Sequence, residues 1–226
     1  MTASSGSAPA AAVRPGYGTY DPTSQSHFRT CPVTGRRIHD KADSIVKVNA
    51  VAAIVFLLVG SIAAILLVLT RWQAVHLLSA TWYYRLLGVH AMSMLIFFII
   101  FFEMAVLHFA STALINARNS LPRTSWVAFA LMLGGALMVE WKMWAGKADV
   151  LFTSYVPLRA DPLFYLGVIL FAVGALAVCW IFFANLVVAR RERTYEGSLP
   201  LVVYGAATAM IAAVAAPYTT SGREPS

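Results

Sequence analysis

Tyr83-Tyr84-Arg85-Leu86-Leu87-Gly88-Val89-His90-Ala91-Met92-Ser93-Met94-Leu95-Ile96-Phe97-Phe98 is the stretch that decides the fold of this chain. The apolar run continues to about residue 116, beyond the ~20 residues that cross a bilayer's hydrocarbon. It reads as a membrane helix with a titratable side chain, His90, about a turn inside. An imidazole in hydrocarbon costs kilocalories unless something uses it, and heme iron is among its strongest users.

Four more apolar stretches flank this one. The hydropathy predicts helices over about 46–70, 84–116, 126–145, 163–189 and 199–217, with the fifth Ala-rich, barely long enough and broken at Pro217. The expected fold is an all-α membrane protein, a bundle of about five transmembrane helices over 45–217. A disordered tail (1–44) precedes it and a polar end (218–226) follows. Composition agrees: 59% of residues are hydrophobic and only 12% charged, with a mean hydropathy of +0.71, far from a soluble domain. The first span starts too late, and is too long, for a cleaved signal peptide. Gly60 and Ala64, four apart, suit close helix contact. Met1 to Gln25 has almost no aliphatic bulk and reads as disordered. Cys31 to His39 is denser and reads as a membrane-proximal turn, since one Cys and one His do not fill a tetrahedral metal site. Cys31 and Cys179 lie in tail and mid-membrane, so a disulfide between them is not expected.

The net charge of +7 resides in short loops between apolar spans, which argues for membrane topology and against a nucleic-acid partner. With the N-terminus inside, the cytoplasmic side carries Arg36, Arg37, Lys41, Lys47, Arg118, Arg123, Arg190, Arg191 and Arg193. The outer side carries Arg71, Arg85, Lys142, Lys147 and Arg159. Nine against five favours a cytoplasmic N-terminus. Trp72, Trp82, Tyr83, Tyr84, Trp141 and Trp144 then form an outer aromatic rim.

Met94, Phe97, Phe101 and His108 share the face of His90 at helical spacing. Two readings stay open there. In one, His90 ligates a heme and the flat Phe side chains border the porphyrin. In the other, His90 is hydrogen-bonded to a neighbouring helix and the Phe stripe is ordinary packing. His108, about 27 Å further along, reads as interfacial. The other helices contain no histidine, so this chain's own spans complete neither a bis-histidine heme nor a copper site. Glu103, roughly opposite His90, fits a proton route or a protonated carboxyl bonded to a neighbouring helix. Lys142 is expected to snorkel outward and Glu140 to pair with an arginine. The segment Asp149-Val150-Leu151-Phe152-Thr153-Ser154-Tyr155-Val156-Pro157-Leu158 is aromatic and nearly uncharged, which suits either a lid over a cofactor or a helix cap.

The Gly88-Val89-His90 approach with its Met/Phe-rich helix resembles the heme-bearing second helix of heme-copper oxidase (cytochrome c oxidase) subunit I. Leu151-Phe152-Thr153-Ser154-Tyr155-Val156-Pro157-Leu158 resembles that family's Tyr-Pro-Pro-Leu loop, with Val156 replacing the first Pro, and Asp161-Pro162-Leu163-Phe164-Tyr165-Leu166-Gly167 is again similar. The likeness runs from about Ile45 to Ala213 and leans toward the divergent B-type oxidases. It implies the first part of a twelve-helix fold. It also implies that His90 is an axial ligand of a low-spin heme, with Tyr155 under the heme propionates. The copper and the second heme would belong to later helices. The implied partners are those remaining helices, subunit II, cytochrome c or a similar donor, and the lipid bilayer, in a bacterial or archaeal cytoplasmic membrane. The implied function is reduction of dioxygen to water with proton translocation. The alternatives are a nitric oxide reductase-like member and a non-catalytic, truncated membrane scaffold. The polar end after Ala213 reads as a premature stop, a frame change or the break of a split subunit.

Overall fold

The computed structural model describes residues 28–33, 35, 37–148, 150, 158–195 and 198–220, leaving aside the side chains of 37 and 212–220. Two short strands open it, β1 (Phe28–Thr30) and β2 (Arg37–His39). They pair antiparallel with Phe28 opposite His39. The turn closes as the Gly35 N–H donates to the Cys31 carbonyl at 2.9 Å, with Gly35 at φ +66, a left-handed conformation natural to glycine. The Arg29 guanidinium bonds Asp43 at 2.5 Å and lies 3.4 Å from Asp40. Both acids sit in the first turn of the following helix, where carboxylates favour the positive end of the helix dipole. Phe28–Thr30 and Arg37–His39, expected within a disordered tail, therefore form paired strands clamped to a helix start. The expected disorder of Met1 to Gln25 lies outside the described residues.

Five helices follow: α1 (Asp40–Arg71), α2 (Ala80–Thr112), α3 (Pro122–Trp144), α4 (Pro162–Glu192) and α5 (Leu201–Thr220). The first four are long and apolar enough to cross a membrane. The helices α3 and α4 start at prolines, which suit a helix's first turn because no intrahelical partner is lost there. The α4 start is capped where Asp161 Oδ1 accepts the Leu163 N–H at 2.9 Å, and its end turns left-handed at Arg193, φ +49. α2 begins four residues before the hydropathy suggested, so His90 lies about 15 Å along it.

The helices form two antiparallel pairs, α1 on α2 and α3 on α4, with the second half of α2 packed on α4. Glycines set the α3–α4 approach. A Cβ on Gly135 would strike the Gly167 carbonyl oxygen, and one on Gly174 would lie 2.7 Å from the Ala128 carbonyl oxygen. Bilayers supply no hydrophobic drive between helices, so such backbone contact is what holds them.

α2 is not uniform. Ser93–Phe98 is a π-helical stretch between two α-helical halves, and its wide turn accommodates about one extra residue. Every face beyond it is rotated accordingly, so the stripe of regular spacing is broken. Phe97 and Phe101 turn into the seam between α1 and α4. They lie 5.0 and 5.5 Å from the Phe56 ring and 5.0 and 5.6 Å from that of Phe171.

Candidate functional site

His90 sits half-buried where α2 meets α1. Its Nδ1 lies 2.9 Å from the carbonyl oxygen of Gly60. A carbonyl only accepts, so Nδ1 carries the proton and donates. Nε2 is then the basic nitrogen, and no described residue bonds it. Fixing one ring nitrogen on a backbone carbonyl is how proteins set the tautomer and aim of a metal-ligating histidine. The contact depends on glycine: a Cβ on Gly60 would lie 2.5 Å from Met94 Cγ and 3.2 Å from Ser93 Cβ. Gly60 and Ala64 were read as a helix-contact pair. What the spacing did not reveal is that Gly60 also presents its carbonyl to the imidazole.

One turn beyond His90, Ser93 donates to Glu140 Oε1 of α3 at 2.6 Å. Both are buried. The arginine partner expected for Glu140 is not what it has; a hydroxyl on the facing helix serves instead. Lys142 reaches toward the helix ends, as expected, but to a partner. It is 13% exposed and bonds Asp161 at 3.0 Å, tying the end of α3 to the start of α4. The Leu163 N–H and then the Lys142 ammonium hold the Asp161 carboxyl below its ordinary pKa. The Asp161 N–H also donates to the Lys147 carbonyl at 2.9 Å, and Ala148 bridges Ala160. These contacts close the base of the aromatic loop. Tyr155 itself lies outside the described residues.

Other expectations resolve differently. Phe97 and Phe101 are spent on interhelical packing. Glu103, half-buried, stands near Cys179 of α4. His108 is not turned to an interface but packed inside at 1% exposure. Among the described residues, no group of three metal-ligating side chains gathers.

One polar cluster escaped the sequence reading. Asn185 Oδ1 of α4 accepts from the Ser120 N–H at 2.9 Å and the Ser120 hydroxyl at 2.7 Å. Its Nδ2 donates to Ser111 of α2 at 3.2 Å. The α2–α3 loop is thereby stapled to α4 at the end away from His90. A lone asparagine in a 31-residue apolar helix was the available signal.

Helices of this length and apolar character, packed through glycines, define an α-helical integral membrane protein. The chain belongs to the family of cytochrome c and quinol oxidase polypeptide I, whose model matches residues 44–223. It is thus a heme-copper oxidase subunit I sequence, of the family that reduces dioxygen and moves protons. The match extends ten residues past Ala213, where the likeness was expected to end. Comparison with individual curated proteins gives no significant match.

Proposed function

We propose that this chain forms the first helices of the catalytic subunit of a respiratory terminal oxidase. In this reading His90 is the axial ligand of a low-spin heme through Nε2. The observation that carries the reading is the 2.9 Å contact from Nδ1 to the Gly60 carbonyl. It commits Nδ1 to a backbone carbonyl and leaves Nε2 as the nitrogen available to iron.

The heme would supply one-electron transfer toward the oxygen-reducing centre. The chain's own residues orient its ligand. Gly60 holds the ring, and Ser93 and Glu140 tie the same turn of α2 to α3. We assign Tyr155, in the 149–157 loop, to the propionate region. Glu103 is the proton-route candidate within these helices. Copper and the second heme would be held by later helices, with subunit II and cytochrome c or a similar donor as partners. We assign the N-terminus to the cytoplasm of a bacterium or archaeon, which sets His90 in the half of the membrane facing away from it.

The test is the optical spectrum of the oxidase assembled from the full chain and its native partners. His90→Ala should abolish the low-spin signal, and His108→Ala should leave it nearly unchanged. The reverse result would sink the assignment. Impermeant labelling of cysteines placed at Ser79 and Ser120 checks orientation: the first should react in intact cells, the second only after lysis.

A further inference from the structure

Three helices meet at the level of His90: α1 through Gly60, α2 through His90 and Ser93, and α3 through Glu140. Ser93 is fully buried and Glu140 nearly so. The 2.6 Å bond between them joins α2 to a helix with which its first half shares few other contacts. The Trp144 indole, one turn further along α3, donates to the same carboxyl. A Cβ on Gly88 would lie 2.7 Å from Met143 Cε, so α3 also bears on α2 two residues before the imidazole.

The Ser93 bond falls where the winding of α2 changes. Ser93 is the first residue of the π-helical stretch, and its N–H is shared between the carbonyls of His90 and Val89. A π-turn accommodates about one extra residue and is rare. Relaxing it to a regular turn would rotate one half of α2 against the other by about 100°, the angle one residue occupies. Phe97 and Phe101 anchor the later half through the rings of Phe56 and Phe171. The half left to turn is the one that carries His90, and that rotation would take Nδ1 off the Gly60 carbonyl.

We infer that Ser93 and Glu140 are positioning residues for the heme ligand. Their bond fixes where the π-turn begins and so holds the His90 imidazole against Gly60. The inference rests on the reading of His90 as the ligand. Without the Ser93–Glu140 bond the contact from Nδ1 to the carbonyl weakens, and Nε2 becomes a less basic donor. A less basic axial ligand favours ferrous over ferric iron.

The experiment uses the oxidase assembled from the full chain and its native partners. It is read by electron paramagnetic resonance of the ferric low-spin heme and by optical redox titration. Ser93→Ala and Glu140→Leu should each move the low-spin g-values. Each should also shift the reduction equilibrium about tenfold toward the ferrous form, about 59 mV for one electron. Glu140→Gln, which keeps a carbonyl acceptor for Ser93, should stay close to the natural protein. The double variant Ser93→Ala/Glu140→Leu should regain stability, since neither polar partner is left buried alone, yet keep the shifted signal. Recovery of signal and stability together in the double variant would mean a bond that only braces the fold, and would overturn the proposal. So would natural g-values and potential in both single variants while His90→Ala abolishes the low-spin signal. Asn185→Leu removes hydrogen bonds at the other end of the bundle and should move neither readout; an equal shift there would also overturn it. A low-spin signal that survives His90→Ala would overturn the ligand reading itself, and this inference with it.

Discussion

Gly60→Ala is the sharpest perturbation of the α1–α2 seam. The new Cβ would stand 2.5 Å from Met94 Cγ, 2.8 Å from its sulfur and 3.2 Å from Ser93 Cβ. Carbon atoms in ordinary contact sit about 3.5–4.0 Å apart, so Met94 must retreat by roughly 1 Å. Ser93, whose Cβ is fixed to the backbone, must give by a few tenths. Overpacking of this kind costs about 1–3 kcal/mol. Replacing a mid-helix glycine returns about 1 kcal/mol of helix propensity. The net expectation is a loss of up to about 2 kcal/mol, with the His90–Gly60 hydrogen bond strained because Ser93 lies only one turn from the imidazole. Gly134→Ala is the internal control. Nothing lies within 4 Å of its added Cβ, so that variant should be neutral or slightly stabilised. Thermal unfolding of the assembled protein in detergent, with the heme band followed in parallel, reads both effects. Adding Met94→Ala to Gly60→Ala should recover stability relative to the additive expectation, since the worst clash is removed. If Gly60→Ala proves as benign as Gly134→Ala, the close approach of α1 to α2 is wrong, and the tautomer argument for His90 falls with it.

Three further outcomes follow from named contacts. Asn185→Leu should cost about 1–3 kcal/mol, because it removes the hydrogen bonds that tie half-buried Ser120 and buried Ser111 to α4; chemical denaturation measures it, and a loss under about 0.5 kcal/mol would contradict the staple. The Asp161 carboxyl sits below its ordinary pKa, so its contribution is present above the unfolded value of about 3.9 and fades as pH falls through the folded one. Proteolysis in the 149–157 loop should accordingly accelerate at acid pH in the natural chain, and Asp161→Asn should bring that susceptibility to neutral pH. Gly135→Ala should be less tolerated than Gly60→Ala, since its Cβ meets the Gly167 and Phe171 backbone rather than a flexible side chain; comparable unfolding temperatures would refute this.

How much was legible in the sequence follows from which forces act locally. The class of protein, the position of four spans and the presence of His90 inside the second are properties of hydropathy and composition, and a bilayer enforces the spans segment by segment because each helix must satisfy its own backbone. What His90 bonds was not legible. Its partner is a backbone carbonyl thirty residues away, and carbonyls are present everywhere in a sequence. The rotation of α2 was hidden for a related reason: a π-helical turn is chosen by interhelical packing, and Ser93–Phe98 reads like any apolar helix. The partners of Glu140, Lys142 and Asn185 likewise depend on which turns of different helices come level. Glycines at 60, 135, 167 and 174 were visible as small residues, but only the packed bundle shows that they bring backbones into contact. Hydrophobic length along one helix determined that this chain enters a membrane. Contact between helices decided which nitrogen of His90 is engaged, because that choice is made by a neighbour's carbonyl.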